Sequence, residues 1–186
     1  AELCKPGGGD LTTVPITDVK SDDFRHLLYY MYGGELSDED MKGNEKDLID
    51  AADKYGVVNL KLEAEAFYVK STTLTTDNIL DNLLYADAKN CALLKEAAMD
   101  FMVDNGKGIL GKVSFDDLPS SMMKDMLTAV TRGKEKENKS NDDPDDFETL
   151  RVGTLRKMLY QKGLHIDGSR EAMIALLKEN SCSQQA

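Results

Sequence analysis

The sequence is poor in the residues on which metal sites, disulfides and membrane anchors depend. It has no tryptophan, two histidines and three cysteines among 186 residues. No stretch approaches the roughly 18 apolar residues that a membrane-spanning helix needs, and the first residues lack the charged-then-apolar pattern of a signal peptide. We therefore expect a protein of the nucleus or the cytoplasm, without a membrane partner.

The scarcity of cysteine and histidine also argues against several kinds of site. Cys4, Cys91 and Cys182 are odd in number and widely spaced, which favours neither a disulfide framework nor a zinc site. Only His26 and His165 are available for metal binding or acid–base chemistry. No nucleophile has a neighbouring base in the sequence. We expect no metal, no cofactor and no enzymatic activity.

Positive charge is scarce except at the carboxyl-terminal end. The formal net charge is −11, but residues 150 to 186 contain six basic and three acidic residues, so this end carries +3 and residues 1 to 149 carry −14. An acidic body disfavours nucleic-acid binding through its whole surface. A hydrophobic content of 41% is enough for a core of modest size.

Two helices joined by a sharp turn are predicted in residues 47–67. The first apolar stripe, at helical spacing, consists of Leu48, Ala51, Ala52 and Tyr55. Gly56 follows directly and suits the left-handed conformation that ends a helix. A second stripe begins at Leu60 and continues through Ala64 and Phe67. The pattern predicts an antiparallel helix pair.

Two neighbouring motifs carry a resemblance to a known family. Residues 24–36 have the pattern F-x-x-L-L-Y-Y-M-Y-G-G-E-L, and residues 47–61 have the pattern D-L-x-x-A-A-D-K-Y-G-V-x-x-L-K. Together they resemble the C-terminal half of a BTB/POZ domain, in particular that of speckle-type POZ adaptors. The resemblance implies a helical protein-interaction domain and a cullin-3-type scaffold as partner.

The family pattern also sets expectations for the start of the chain. Residues 1–15, with three consecutive glycines, are predicted to form a flexible arm, and residues 16–72 to form the C-terminal half of the BTB/POZ domain. Ile16 to Val19 alternate and predict at most one short strand. The preceding half of the family pattern has no counterpart here. Because that half supplies most of the family's dimer interface, a homodimer is an expectation with less support than cullin docking.

Residues 73–132 are predicted to form further helices that resemble the BACK-type extension of cullin adaptors. A helix from Thr76 or Asp77 and another after Asn90 form the first pair. The resemblance implies four cullin-side candidates, Leu80, Leu83, Leu84 and Asp87. A last helix at about 120–131 has a methionine-rich stripe, which favours core packing over a peptide-binding groove.

Residues 133–148 are predicted to be a disordered acidic linker because they offer almost no apolar anchor. Residues 149–182 then form a separate module of two short helices, which we expect to tumble independently of the body. The apolar pattern and the turn at Gly163 and Gly168 resemble the SAP motif of chromatin-associated proteins. That resemblance implies binding of DNA, or RNA, through residues 150–180.

Physical chemistry favours the same region for a polyanion, because a helix start exposes backbone N–H groups and cations surround it. The nucleic-acid-binding candidates are Arg151, Arg156, Lys157, Lys162, Gly168, Ser169 and Arg170. The alternative is a small helical hairpin whose lysines are merely solvated.

Together these patterns predict a mainly α protein whose function is that of a non-catalytic adaptor. It would join a cullin-3-type ubiquitin ligase to an unknown substrate protein and reach chromatin through the SAP-like module. The alternatives are a chromatin-associated or transcriptional scaffold without ubiquitin chemistry, and a truncated paralogue that docks nothing. For the core, the predicted buried residues are Leu48, Ala52, Leu60, Leu84, Leu94 and Phe101.

Overall fold

The computed structural model describes residues 16–109, 119–135 and 147–182, so the predicted flexible arm lies outside the described residues. Within these ranges the chain is mainly helical and contains no strand, which confirms the predicted fold class. The helices are α1 (Ser21–Met31), α2 (Asp38–Met41), α3 (Glu45–Lys54), α4 (Val58–Ser71), α5 (Ile79–Ala88), α6 (Ala92–Asp104), α7 (Gly106–Ile109), α8 (Ser120–Glu135), α9 (Val152–Gln161) and α10 (Arg170–Cys182).

The segment before α1 differs from its prediction. Ile16 to Val19 is irregular rather than a short strand. A strand needs a neighbour to pair its N–H and C=O groups, and the described ranges contain no other strand to supply one. Lys20 then takes an extended conformation and precedes the first turn of α1.

The α3–α4 pair lies at the centre of the helical body, which we define as α1 to α8. Leu48 and Ala52 of α3 and Leu60 of α4 are fully buried, as predicted. Gly56 ends α3 with a φ of +69°, and the N–H of Val57 donates to the carbonyl of Ala52 over 2.8 Å. This pair of features is a Schellman turn, and it reverses the chain within three residues.

The α5–α6 pair packs on one side of the centre and differs from two core predictions, those for Leu84 and Phe101. Ile79, Leu83 and Ala86 of α5 face inward and are fully buried, whereas Leu84 is 37% exposed. Successive helical residues point about 100° apart, so the residue after Leu83 lies at the edge of the buried stripe. On α6, Leu94 is buried as predicted and Phe101 is half-buried.

Helix α8 divides its methionine-rich stripe between core and surface. Met122 and Ala129 pack against α5 and α6, while Met123 and Leu127 are exposed. Only the side of α8 that carries Met122 and Ala129 therefore belongs to the core. No helix in the described ranges is both long and apolar enough to cross a membrane.

The terminal hairpin, residues 147–182, has a small core of its own. Val152, Leu155 and Leu159 of α9 meet Met173 and Leu177 of α10, and all five are fully buried. Gly163 supplies the positive φ, +67°, that ends α9.

The hairpin core also corrects the boundaries of the predicted linker. Phe147, placed in the linker by its acidic neighbours, is buried against α9 and α10 because it is the apolar residue that closes this small core. At the other end, α8 continues to Glu135. Residues 136–146 lie outside the described residues.

The different positions of Leu83 and Leu84 lead to a stability prediction. Leu83→Ala should lower the free energy of unfolding by about 2–5 kcal/mol, because it opens a cavity in the body core. Leu84→Ala should cost less than about 1 kcal/mol, because the side chain is already in contact with water. Urea unfolding followed by circular dichroism measures both, and equal losses would contradict the assignment of α5 faces.

Candidate interaction surfaces

Apolar side chains are exposed together at the end of α1. Leu28, Tyr29, Met31 and Tyr32 are 38%, 57%, 58% and 89% exposed, and we call these four residues the α1 surface. Scattered exposed apolar residues are ordinary, but a group of neighbours including two aromatic rings is typical of a protein-interaction site. Tyrosine suits such a site because it offers a large contact area and a polar tip.

The inward side of α1 holds this surface rigidly on the body. Leu27 is fully buried against α3 and α4. The hydroxyl of Tyr30 donates to a carboxylate oxygen of Glu63 on α4 over 2.7 Å. Burial first, and then this hydrogen bond, raise the pKa of Tyr30 to about 12, so the phenol stays protonated and keeps donating at neutral pH. Gly34 lies against the ring of Tyr29 so closely that any side chain at position 34 would displace the ring.

The four predicted cullin-side residues of α5 do not form one exposed surface. Leu83 is fully buried and contributes to the core instead, which excludes it from direct contact with a partner. Asp87 accepts a hydrogen bond from Lys95 over 2.7 Å, and Lys95 also pairs with Asp125 on α8. Leu80 is half-buried, so the most accessible of the four is Leu84.

The carboxylate of Glu65 joins three helices. This α4 side chain is 1% exposed. One oxygen, Oε1, accepts from the backbone N–H groups of Leu93 and Leu94 in the first turn of α6, over 2.8 and 3.1 Å. The other, Oε2, accepts from the Arg156 guanidinium of α9 over 2.7 Å. Glu65 therefore caps one helix of the body and binds the terminal hairpin at the same time.

Lys61 makes a second contact between the body and the terminal hairpin. It lies one turn before Glu65 on α4, and its buried ammonium group donates to Asp53 at 2.8 Å and to Asp167 of the hairpin at 3.0 Å. Burial acts to lower the pKa of Lys61, but the two carboxylates raise it by more, so the net shift is upward. The ammonium group therefore stays charged at neutral pH.

The start of α9 is bound by α6. The guanidinium of Arg151 pairs with Asp100 and lies 3.7 Å from a carboxylate oxygen of Glu96. Both oxygens of Glu96 are within 3.4 Å of the backbone N of Val152, the first residue of α9. A carboxylate at this end of a helix is stabilised by the unpaired N–H groups and by the helix dipole.

The remaining nucleic-acid candidates differ in whether their side chains are hydrogen-bonded within the hairpin or exposed to solvent. Arg170 donates to the backbone carbonyls of Glu148 and Leu150 over 2.5 and 3.1 Å. Gly168 has a φ of +119°, and the hydroxyl of Ser169 accepts from the N–H of Ala172 over 3.3 Å. The exposed cations are Lys157 and Lys162, which make no ion pair in the described part of the chain.

These contacts overturn the expectation that the terminal hairpin tumbles independently. Arg151 and Arg156 are paired with carboxylates of α4 and α6, and Ala92 of α6 belongs to the hairpin's own apolar cluster. The physical reason is charge complementarity, since the basic hairpin has an acidic body beside it. The structure therefore brings Arg151 and Arg156 to the body, leaves Lys157 and Lys162 exposed, and binds Arg170 within the hairpin. The predicted cations do not share one free face, and nucleic-acid binding stays a prediction.

Sequence reasoning missed Glu65 and Lys61, although a weak signal was present. Both residues follow a buried apolar residue, Leu60 or Ala64, and helical spacing places all four on one side of α4. Charged residues are almost never fully buried unless they are paired. A lysine and a glutamate within the apolar stripe of a helix were thus an indication of buried partners.

Comparison with known families agrees with this architecture. Residues 5–102, more than half of the chain, match the model of the BTB/POZ domain. The chain therefore belongs to the BTB/POZ family, whose domains are generally non-catalytic protein-interaction modules. The match ends within α6 and includes α5, so it covers part of the region predicted to resemble a BACK extension. The BACK-like and SAP-like assignments stay predictions.

Two relatives show how far the similarity extends. The BTB/POZ domain-containing protein At4g08455 of Arabidopsis thaliana is 36% identical over 94 residues, which are 50% of this chain and 37% of that protein. The BTB and MATH domain-containing protein 42 of Caenorhabditis elegans is 25% identical over 120 residues, 63% of this chain and 29% of that protein. The matched part thus spans well under half of either relative.

The buried position of Glu65 leads to a second stability prediction. Arg156→Met should lower the free energy of unfolding by about 3–5 kcal/mol, because it leaves a buried carboxylate without its cation. Glu65→Gln should cost about 1–3 kcal/mol, because the amide keeps an acceptor for α6 but loses the ion pair. Urea unfolding of each variant provides the measurement.

The exposed pair of Lys178 and Glu148 offers a matched control, since both side chains are more than half exposed at a separation of 2.8 Å. Lys178→Met should change the free energy of unfolding by less than about 0.5 kcal/mol. If Arg156→Met and Lys178→Met have the same effect, Glu65 does not hold the hairpin.

The number of exposed cations among the nucleic-acid candidates predicts how any DNA binding by the hairpin depends on salt. With Lys157 and Lys162 alone on phosphates, the logarithm of affinity should fall with the logarithm of salt with a slope of about −1.8, so binding weakens about 12-fold between 50 and 200 mM. If Arg151, Arg156 and Arg170 were also released to phosphates, the slope would be about −4.5 and the loss about 500-fold. Titration of duplex DNA into the intact chain distinguishes the two. A lack of binding at about 50 mM would remove the nucleic-acid prediction altogether.

Proposed function

We propose that this chain is a non-catalytic adaptor that docks a cullin-3-type ubiquitin ligase scaffold through its BTB/POZ body, in the nucleus or the cytoplasm. A substrate protein would bind another part of the chain. Family membership supports this proposal because BTB domains commonly bind cullin-3 and other proteins, and commonly self-associate.

The observation that carries the proposal is the α1 surface. Burying the two tyrosines, the methionine and the leucine against a partner removes apolar area from water at about 25 cal/mol per Å². Tyrosine is one of the residues most often found at the energetic centre of an interface. Because α1 is fixed to α3 and α4, little conformational entropy is lost when a partner binds.

The proposal assigns different parts to the two candidate surfaces. The α1 surface is the main contact for the cullin-type scaffold. Leu84 on α5 is a second contact, retained from the predicted cullin-side residues because its side chain is partly exposed. Leu83 supports this contact only indirectly, by filling the core behind it.

A binding experiment with matched variants tests the proposal. Tyr32→Ala should weaken binding of the purified N-terminal domain of a cullin-3-type scaffold about 30-fold, as expected for the loss of about 2 kcal/mol at an interface centre. Met31→Ala and Leu84→Ala should have smaller effects in the same direction. Isothermal titration calorimetry measures each affinity.

Tyr160 provides the control, because it is 75% exposed on α9 and lies outside both candidate surfaces. Tyr160→Ala should leave cullin affinity unchanged. If wild-type protein does not bind the cullin domain, the ligase proposal is wrong. If Tyr32→Ala then reduces self-association in sedimentation experiments, the α1 surface serves the alternative function of a scaffold without ubiquitin chemistry.

A further inference from the structure

A polar cavity lies at the other end of α1, away from the α1 surface. Its volume is about 680 Å³, within the range of small-ligand sites. The walls come from the segment before α1, the first turn of α1, helix α3 and Lys89 after α5. Since α1 has 11 residues, its two ends are about 16 Å apart. The cavity is therefore distinct from the proposed cullin contact.

Charge is distributed unevenly in this cavity. Its walls include four aspartates and three lysines. Each lysine pairs with a different aspartate: Lys20 with Asp47, Lys54 with Asp18, and Lys89 with Asp50. The fourth carboxylate, that of Asp23, has no lysine of its own.

Asp23 is also the most deeply buried charged group of the cavity. Its side chain is 1% exposed, and its Oδ2 atom has no hydrogen-bond partner among the described residues. Burial first, and then the charge of Asp47, raise the pKa of this carboxyl group. A buried carboxylate oxygen without a partner is costly, so it indicates a missing donor.

We propose that this cavity binds an ammonium or guanidinium group, with Asp23 as the carboxylate that accepts its hydrogen bonds. The walls already accommodate three ammonium groups beside aspartates, so an organic cation matches them in size and charge. A guanidinium group would add several N–H donors in a planar arrangement that suits a carboxylate.

A metal ion fits this cavity less well than an organic cation. No group of three or more His, Cys, Asp or Glu side chains in the described ranges is arranged to hold a metal. Asp18, Asp47 and Asp50 already share their charge with lysines. An organic cation needs only one free carboxylate, and the cavity provides one.

Binding of methylguanidinium chloride to the intact chain tests the proposal. In a titration followed by ¹H–¹⁵N NMR, the amide signals of residues around Asp23 and Asp47 should shift and saturate. Asp23→Asn preserves the shape of the side chain but removes its charge, and it should weaken binding at least about tenfold. The absence of saturable shifts in wild type, or equal affinity in Asp23→Asn, would overturn the proposal.

Asp22 supplies a matched control in the same helical turn, because its side chain is 73% exposed and pairs with Arg25. Asp22→Asn removes the same charge and should leave methylguanidinium affinity within about twofold of wild type, as expected for an exposed, solvent-screened group. A similar loss in both variants would show that net charge, not the cavity, attracts the cation.

Two further arms of the experiment complete the test. The pKa of the Asp23 carboxyl group, followed by ¹³C NMR in wild type, should fall when methylguanidinium is bound, and an unchanged pKa would contradict the proposal even if Asp23→Asn failed to fold.

A peptide with a central arginine that binds at least tenfold more tightly than methylguanidinium would identify a partner's side chain as the ligand. Equal affinities would identify a free small cation.

Discussion

The buried carboxylate of Glu65 is the group on which the arrangement of the helices depends. Helix α6 has no side-chain cap of its own at Cys91, and its first N–H groups are satisfied by Glu65 from α4. The same carboxylate would be costly to bury without a cation, and Arg156 of α9 supplies one. One side chain therefore fixes the position of α6 relative to α4 and that of the terminal hairpin relative to both.

The uneven distribution of charge along the chain produces ion pairs between the terminal hairpin and the helical body. A basic end next to an acidic body suggests a surface for an external polyanion when only net charge is considered. In the structure, the arginines of α9 meet carboxylates of α4 and α6, while Asp167 returns a negative charge to Lys61. Net charge predicts that two regions attract each other as readily as it predicts that one of them attracts DNA.

The sequence predicted those parts of the fold that depend on local spacing. The α3–α4 pair followed from apolar residues such as Leu48, Ala52 and Leu60 at helical intervals, with Gly56 at the turn. Leu84 was misplaced because a stripe of adjacent leucines does not show which of them lies at the edge of the core. Phe147 was misplaced because a single aromatic residue after an acidic run carries no periodicity.

The candidate sites were less predictable, because they depend on contacts between distant residues. Glu65 and Arg156 are 91 residues apart, and no local pattern links them. The α1 surface was not identified from the sequence for another reason. Its residues form part of a family motif, and a motif does not reveal which of its apolar side chains remain in contact with water.

The separation of Glu65 from its cation also has a consequence for synthesis of the chain. At about 5–20 residues per second, a ribosome adds Arg156 roughly 5–20 s after Glu65, and Asp167 follows Lys61 by 106 residues. During this interval the nascent body holds a carboxylate and an ammonium group whose hairpin partners do not yet exist. The contacts of Glu65 with α6 need no residue of the hairpin, whereas its ion pair with Arg156 and that of Lys61 with Asp167 can form only after these distant residues have been synthesised.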